Sequence, residues 1–196
     1  MIEFWFDFAS SYSYPAAMRV EDAGLRYGCR VQWRPFLLGP IFKAQGWSDS
    51  PFNIYPVKGR YMWRDLERLC ATLQIRFRKP REFPRNSLLA TRIASAGEDT
   101  AWLPEFARRV YVANFADDRD IAEPAVLLEC LSGLTQDPAA ILTAARGQDA
   151  KAQVRRNTER AIQLGIFGAP TFVVGEELFW GNDRLETALQ WRQKST

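Results

Sequence analysis

Across Ile2 to Phe8, Phe4, Phe6 and Phe8 alternate with Glu3, Trp5 and Asp7, the period-two pattern of a strand rich in aromatic side chains. The pattern breaks at Ala9-Ser10-Ser11-Tyr12-Ser13. A helix-forming run from Tyr14-Pro15 then continues to about Tyr27, where Gly28 is a stop signal. Arg30 to Leu38 reads as a second strand, so the chain opens with a β-α-β unit whose crossover is expected to be right-handed. A polar, proline-containing segment leads to Pro56. From Lys58 to about Ile75, Met62, Leu66, Leu69 and Leu73 recur at helical spacing. Further helices are expected near 86–97, 101–115, 124–133, 137–146 and 148–165, separated by Gly97, Pro124, Gly133, Pro138 and Gly147. Strand character returns at Thr171 to Val174 and Glu177 to Trp180, joined by Gly175-Glu176, a pair suited to a tight type II′ hairpin. A last helix is predicted over 184–193.

This order describes an α/β thioredoxin-like fold, β-α-β plus a β-hairpin and a C-terminal helix, with a large all-helical insertion. Residues 1–40 and 148–196 form the core domain and 41–147 the insertion, which would supply the substrate side of a site. Open sheets bind ligands beyond the carboxyl ends of their strands, which points to the turn between the first strand and the first helix.

Composition narrows the chemistry. With 47% hydrophobic and 25% charged residues the chain has enough apolar side chains to build a core. Histidine is absent, which excludes Ser-His and Cys-His catalysis and histidine-ligated metals. Cys29, Cys70 and Cys130 are too scattered for a redox pair, a zinc site or a disulfide framework, so they are expected to be reduced core thiols and no metal is expected. The net charge of +3 is local: Arg60 to Arg85 holds eight basic residues against three acids. A solvated helix face and loop is the simplest reading of that block, ahead of a nucleic-acid surface or the mouth of an anion site. Met1 runs straight into a strand without a basic start or apolar helical stretch, and no segment approaches the roughly 18 apolar residues of a membrane span. A cytoplasmic location without membrane contact is the default expectation.

Ser10 ends the first strand region and precedes the first helix, where unpaired N–H groups and the helix dipole favour an anion. By position alone a plain helix cap is the safer reading. Without histidine as a base, Ser10 is a better hydrogen-bond donor than attacker. It would suit a borrowed thiolate. A thiol with a pKa near ~8.5 is about 3% ionised at pH 7, and lowering that pKa by ~2 needs about 2.7 kcal/mol. A hydrogen bond to a charged partner contributes about 1.5–3 kcal/mol and a helix N-terminus about 0.3–2. Gly168-Ala169-Pro170-Thr171 precedes the hairpin, where thioredoxin-type folds carry a proline loop that leaves the preceding backbone, here Ala169, open to a peptide-like ligand. Asp183 with Glu186 reads as a modified capping box, or as a carboxylate for a ligand ammonium.

Phe6-Asp7-Phe8-Ala9-Ser10-Ser11-Tyr12-Ser13-Tyr14, Pro56-Val57-Lys58-Gly59-Arg60-Tyr61-Met62, Gly168-Ala169-Pro170-Thr171 and Phe179-Trp180-Gly181-Asn182-Asp183-Arg184-Leu185 together resemble the 2-hydroxychromene-2-carboxylate isomerase family. That family is related to kappa-class glutathione transferases within the DsbA-like superfamily. The resemblance implies a homodimeric, glutathione-dependent isomerase of aromatic degradation that converts 2-hydroxychromene-2-carboxylate to trans-o-hydroxybenzylidenepyruvate. It implies that the serine at Ser10 holds the glutathione thiolate, that Lys58 faces a glutathione carboxylate, that Ala169 before Pro170 pairs with the cysteinyl unit, and that Asn182 and Asp183 hold the γ-glutamyl end. The family's usual Ser-Pro is here Ser10-Ser11, so either hydroxyl is a candidate for the thiolate. Trp47 stands in the region where kappa-class relatives place an asparagine. Phe83-Pro84-Arg85-Asn86-Ser87 also looks like a family motif. Its simplest reading is a helix start capped by Asn86 or Ser87. In the functional one, Arg85 and Asn86 face a substrate carboxylate while Tyr12 and Trp47 supply aromatic walls.

Three other readings compete. A kappa-like transferase or peroxidase would keep the fold and glutathione but consume the thiol. A dithiol oxidoreductase fails because Ser10 and Ser13 stand where a CxxC pair would be. A nucleic-acid module on the basic block lacks any recognised motif.

Overall fold

The computed structural model describes residues 1–194. Its sheet has the order β2-β1-β3-β4. The strand β1 (Ile2–Phe6) is followed by α1 (Ser13–Arg26) and by β2 (Val31–Pro35), which pairs with β1 in parallel. The helical segment contains α2 (Leu38–Ala44), α3 (Pro51–Ile54), α4 (Pro56–Thr72), α5 (Leu88–Ala96), α6 (Leu103–Phe115), α7 (Pro124–Leu131) and α8 (Pro138–Ala144). The chain returns through α9 (Gln148–Gln163), the antiparallel hairpin β3 (Thr171–Val174) and β4 (Glu177–Trp180), and α10 (Leu185–Lys194). β3 runs antiparallel to β1. The expected thioredoxin-like core with a helical insertion is the observed fold. Among the described residues no helix is long and apolar enough to cross a membrane.

The first strand is shorter than its alternation. It stops at Phe6 because Asp7 turns back: its carboxylate accepts the Ala9 N–H at 2.9 Å and its carbonyl accepts the Ser10 N–H at 2.9 Å. Phe8 prolongs the pattern because it too is buried, in the turn that follows. Trp5, on the face that also carries Glu3 and Asp7, is fully buried against Phe36. β1 is one of two inner strands, and its residues are buried on both faces of the sheet. The polar segment before Pro56 contains two short helices, α2 and α3, absent from the sequence expectation. Ser50 caps the latter through the Phe52 N–H, at 3.3 Å.

One continuous hydrophobic cluster runs from the sheet into the insertion. Phe4, Phe6 and Phe8 of the first strand region meet Tyr14 of α1 and Phe106, Tyr111 and Phe115 of α6. Neighbouring rings lie 5.2–6.4 Å apart, a spacing at which each aromatic pair adds about 0.5–1.5 kcal/mol beyond its buried area. The two segments 1–40 with 148–196 and 41–147 therefore share buried side chains. The same helix grips the strand-to-helix turn: the Tyr111 hydroxyl donates to the Asp7 carbonyl at 2.9 Å and the Asn114 amide to the Phe8 carbonyl at 3.1 Å.

Candidate functional site

That turn opens on a cavity of about 1590 Å³, above the roughly 300–1,000 Å³ of an ordinary small-molecule site and roomy enough for two ligands side by side. One wall comes from the core: Ser10 to Tyr12, Ala169 and Gly181 to Asp183. The other comes from the segment 37–88, including Trp47, Phe52, Lys58, Arg85 and Asn86. Of the residues singled out from the sequence, all line this cavity except Pro170. Pro170 stands behind Ala169 in a cis peptide, and its carbonyl accepts the Gly181 N–H at 2.9 Å, which draws the Gly181 to Asp183 loop to the same mouth.

Geometry separates the two serines. The Ser10 hydroxyl, in a residue 8% exposed, donates to the Ala169 carbonyl at 2.9 Å and accepts the Ser13 N–H from the first residue of α1 at 3.3 Å. The Ser11 hydroxyl turns away, toward the Met62 sulfur of α4 at 3.0 Å, and its residue is only 2% exposed. Ser10 thus accepts the N–H of the first residue of α1, three positions on, as a capping serine does, although the residue that immediately precedes the helix is Tyr12.

At the far end of the core wall Asn182 is buried and Asp183 exposed. No capping box forms there: the Asp183 carboxylate pairs with Arg184 at 2.7 Å and Glu186 pairs with Arg19. Lys58, exposed in the first turn of α4, holds its ammonium 4.9 Å above the Tyr55 ring. Tyr12 donates to Asp65 at 2.9 Å and lies 6.2 Å from the Phe52 ring, while Trp47 packs 5.3 Å from Phe42.

Arg85 departs from the expectation. It is buried in the cavity wall, but Nη1 donates to the Asn114 carbonyl and side-chain oxygen, both at 3.1 Å, and Nη2 to Asp118. The forked end that would clamp a substrate carboxylate is already occupied, because a buried guanidinium without partners would be prohibitively costly. Asp118, gripped first by the Arg81 backbone N–H and then by the Arg85 side chain, has its carboxyl held well below the usual carboxylate range. Asn86 is exposed and caps α5, its side-chain oxygen accepting the Leu88 N–H at 3.0 Å; Ser87 is left to donate to Asp7 at 2.8 Å. Much of the basic block is likewise paired, Arg64 with Glu67, Arg68 with Asp65 and Arg76 with Asp117.

Asp7 is not among the site residues expected from the sequence, which places it on the strand face opposite Phe4, Phe6 and Phe8. It lies at the cavity floor, 3% exposed, and accepts from Ala9, from Leu38 at the start of α2 at 2.8 Å and from Ser87. Burial pushes its carboxyl up, and those three donors pull it back. Phe52 was missed for a related reason, since α3 was not expected.

Comparison with known proteins accords with this geometry. A family model described as a DSBA-like thioredoxin domain matches residues 1–190. The chain is 30% identical to a 2-hydroxychromene-2-carboxylate isomerase of Sphingobium xenophagum, with 94% of each chain covered. It is 29% identical to glutathione S-transferase kappa 1 of Homo sapiens, over 94% of this chain and 87% of that one. A solved 2-hydroxychromene-2-carboxylate isomerase superposes with a TM-score of 0.85 at 26% identity, covering 99% of this chain and 97% of the other. The chain belongs to the DsbA-like thioredoxin superfamily and, within it, to the 2-hydroxychromene-2-carboxylate isomerase family, whose relatives are the kappa-class glutathione transferases.

Proposed function

We propose that this chain is a glutathione-dependent isomerase that converts 2-hydroxychromene-2-carboxylate to trans-o-hydroxybenzylidenepyruvate and returns glutathione unchanged. The observation that carries the reading is the bonded pair of the Ser10 hydroxyl and the Ala169 carbonyl at the cavity mouth. Together they offer one donor and one acceptor side by side, the complement of a cysteinyl unit with an ionised sulfur and an amide N–H. None of the chain's three cysteines lines the cavity; all are buried, and burial pushes the Cys70 and Cys130 thiols up to about 11. A thiol nucleophile would then come from outside.

Glutathione bound there would supply a thiolate that adds reversibly to the substrate and leaves once the opened bond has rotated. Ser10, rather than Ser11, would turn its hydrogen from Ala169 to the sulfur, strengthened as a donor by the N–H that Ser13 gives it. Lys58 would meet one glutathione carboxylate, and Asn182 with Asp183 the γ-glutamyl end. Tyr12 and Trp47 would wall the acceptor half of the cavity. With Arg85 engaged, the substrate carboxylate would fall to Asn86 or to Lys43, an exposed cation on that wall. The reading includes a homodimer in the cytoplasm, in the breakdown of aromatic compounds.

The test is turnover of 2-hydroxychromene-2-carboxylate with and without glutathione, alongside calorimetric titration of glutathione. Turnover that requires glutathione and leaves its concentration unchanged is the expected result. Full activity without it, or no binding, would overturn the proposal. A kappa-class transferase is the second reading, favoured by the match to the human enzyme, and it would consume glutathione with an electrophile.

A further inference from the structure

Arg19 lies on α1, outside every motif that pointed to the site, yet its guanidinium is spent on the loop that closes the core wall. Nε donates to the Asn182 side-chain oxygen at 3.1 Å and Nη2 to the Asn182 backbone carbonyl at 2.6 Å. Nη1 donates to the Glu186 carboxylate in the first turn of α10, and Nη2 reaches its second oxygen at 3.2 Å. The side chain is 18% exposed, so this fork is largely withdrawn from water.

A guanidinium has only donors, so the atom of Asn182 facing it must be oxygen. That fixes an assignment that is otherwise ambiguous for a carboxamide. The same carbon bears Nδ2, which therefore projects away from Arg19, on a buried residue that lines the cavity. Asn182 is left with donors to offer and its acceptor already taken. The neighbouring Asp183 has the opposite character, an exposed carboxylate.

We infer that Arg19 is a positioning residue that sets the polarity of this end of the cavity: by holding both carbonyl oxygens of Asn182 it turns the amide N–H₂ toward the ligand, so that Asn182 selects a carboxylate. Resting on the glutathione reading, this assigns the α-carboxylate of the γ-glutamyl group to Asn182 and its ammonium to Asp183. Glu186 acts one step further out, holding Arg19.

The experiment compares glutathione with its analogue lacking the γ-glutamyl α-carboxylate, 4-aminobutyryl-cysteinylglycine, by calorimetry on the parent, Arg19→Met and Asn182→Asp. The parent should prefer glutathione by about tenfold, the equivalent of one charge-assisted hydrogen bond. Arg19→Met should bind the analogue within about twofold of the parent and lose the preference. A general loss of structure would weaken both ligands alike. Asn182→Asp keeps both acceptors for Arg19 and replaces the donor with a negative oxygen, so it should reverse the preference; it serves also if Arg19→Met does not fold. An unchanged preference in Arg19→Met overturns the role of Arg19, and an unchanged preference in Asn182→Asp overturns the contact between the Asn182 amide and the carboxylate on which that role depends. Failure of the parent to bind either ligand would instead overturn the glutathione reading, and this inference with it.

Discussion

The two walls of the cavity are built differently. On the core wall Ser10, Ala169 and Asn182 are buried or half-buried, and each is hydrogen-bonded before any ligand arrives. On the helical wall Trp47 and Phe52 are half-buried and Lys58 is exposed, held by ring contacts with Phe42, Tyr12 and Tyr55 and carried by the loop after α2, the short helix α3 and the first turn of α4. Fixed donors and acceptors suit an invariant ligand whose atoms must fall in one place, because preorganised polar groups cost little to use. Apolar rings on short elements suit a partner recognised by area and shape. On the proposed function, the core wall would set the chemistry and the helical wall what it acts on.

That contrast breaks most easily at Ser10. Ser10→Ala should lower turnover of 2-hydroxychromene-2-carboxylate by about a hundredfold while glutathione affinity falls by less than about tenfold, since the lost bond is worth most to the ionised sulfur. Steady-state kinetics beside calorimetry, with the ultraviolet band of bound thiolate as the direct reading, would check it. Equal losses in both would mean that Ser10 serves binding alone. Next comes Arg85, in the helical half but wired as the core wall is. Arg85→Met should lower the thermal midpoint by about 5–10 °C, because it strips a buried cation from Asp118 and Asn114. The folded fraction should keep its KM within about threefold; a large KM rise with an unshifted midpoint would restore a direct role in substrate binding.

A smaller effect is expected at Trp47. Trp47→Ala should raise the KM for the aromatic substrate by about fivefold and leave glutathione affinity within about twofold, the signature of a wall that reads only the acceptor. Weaker glutathione binding would place the two ligands differently from the division drawn above. The smallest effect concerns acid. Asp118 has a depressed pKa when folded, so its stabilisation is present above the unfolded value near ~3.9 and is lost as the pH falls below it. Denaturant midpoints between about pH 5 and pH 2 should fall less in Asp118→Asn than in the parent.

Much of this was legible in the chain. The hairpin was placed residue for residue because a Gly-containing turn between two apolar runs is local information, and Gly175 indeed has φ +61°. Ser10, Ala169, Lys58, Asn182 and Asp183 could be named because they lie in contiguous motifs. What stayed hidden depends on partners distant in sequence. Helices α2 and α3 are too short to show a period, and α2 begins where Asp7 captures the Leu38 N–H. Arg85 reads as a free cation because Asn114 and Asp118 lie about thirty residues on. Arg19 belongs to no motif and Glu186 reads as part of a capping box, because nothing local shows that they meet.

The grip of α6 on the turn that presents Ser10 has a lasting effect on how such a scaffold can change. Tyr111 and Asn114 fasten the carbonyls of Asp7 and Phe8 from the middle of the aromatic cluster, so drift along that helix would misplace the Ser10 hydroxyl. New acceptor preferences must therefore arise at the rim, around Trp47 and Phe52, where a side chain can be exchanged without disturbing that grip. Diversification is channelled to the doorway while the hearth stays as it was.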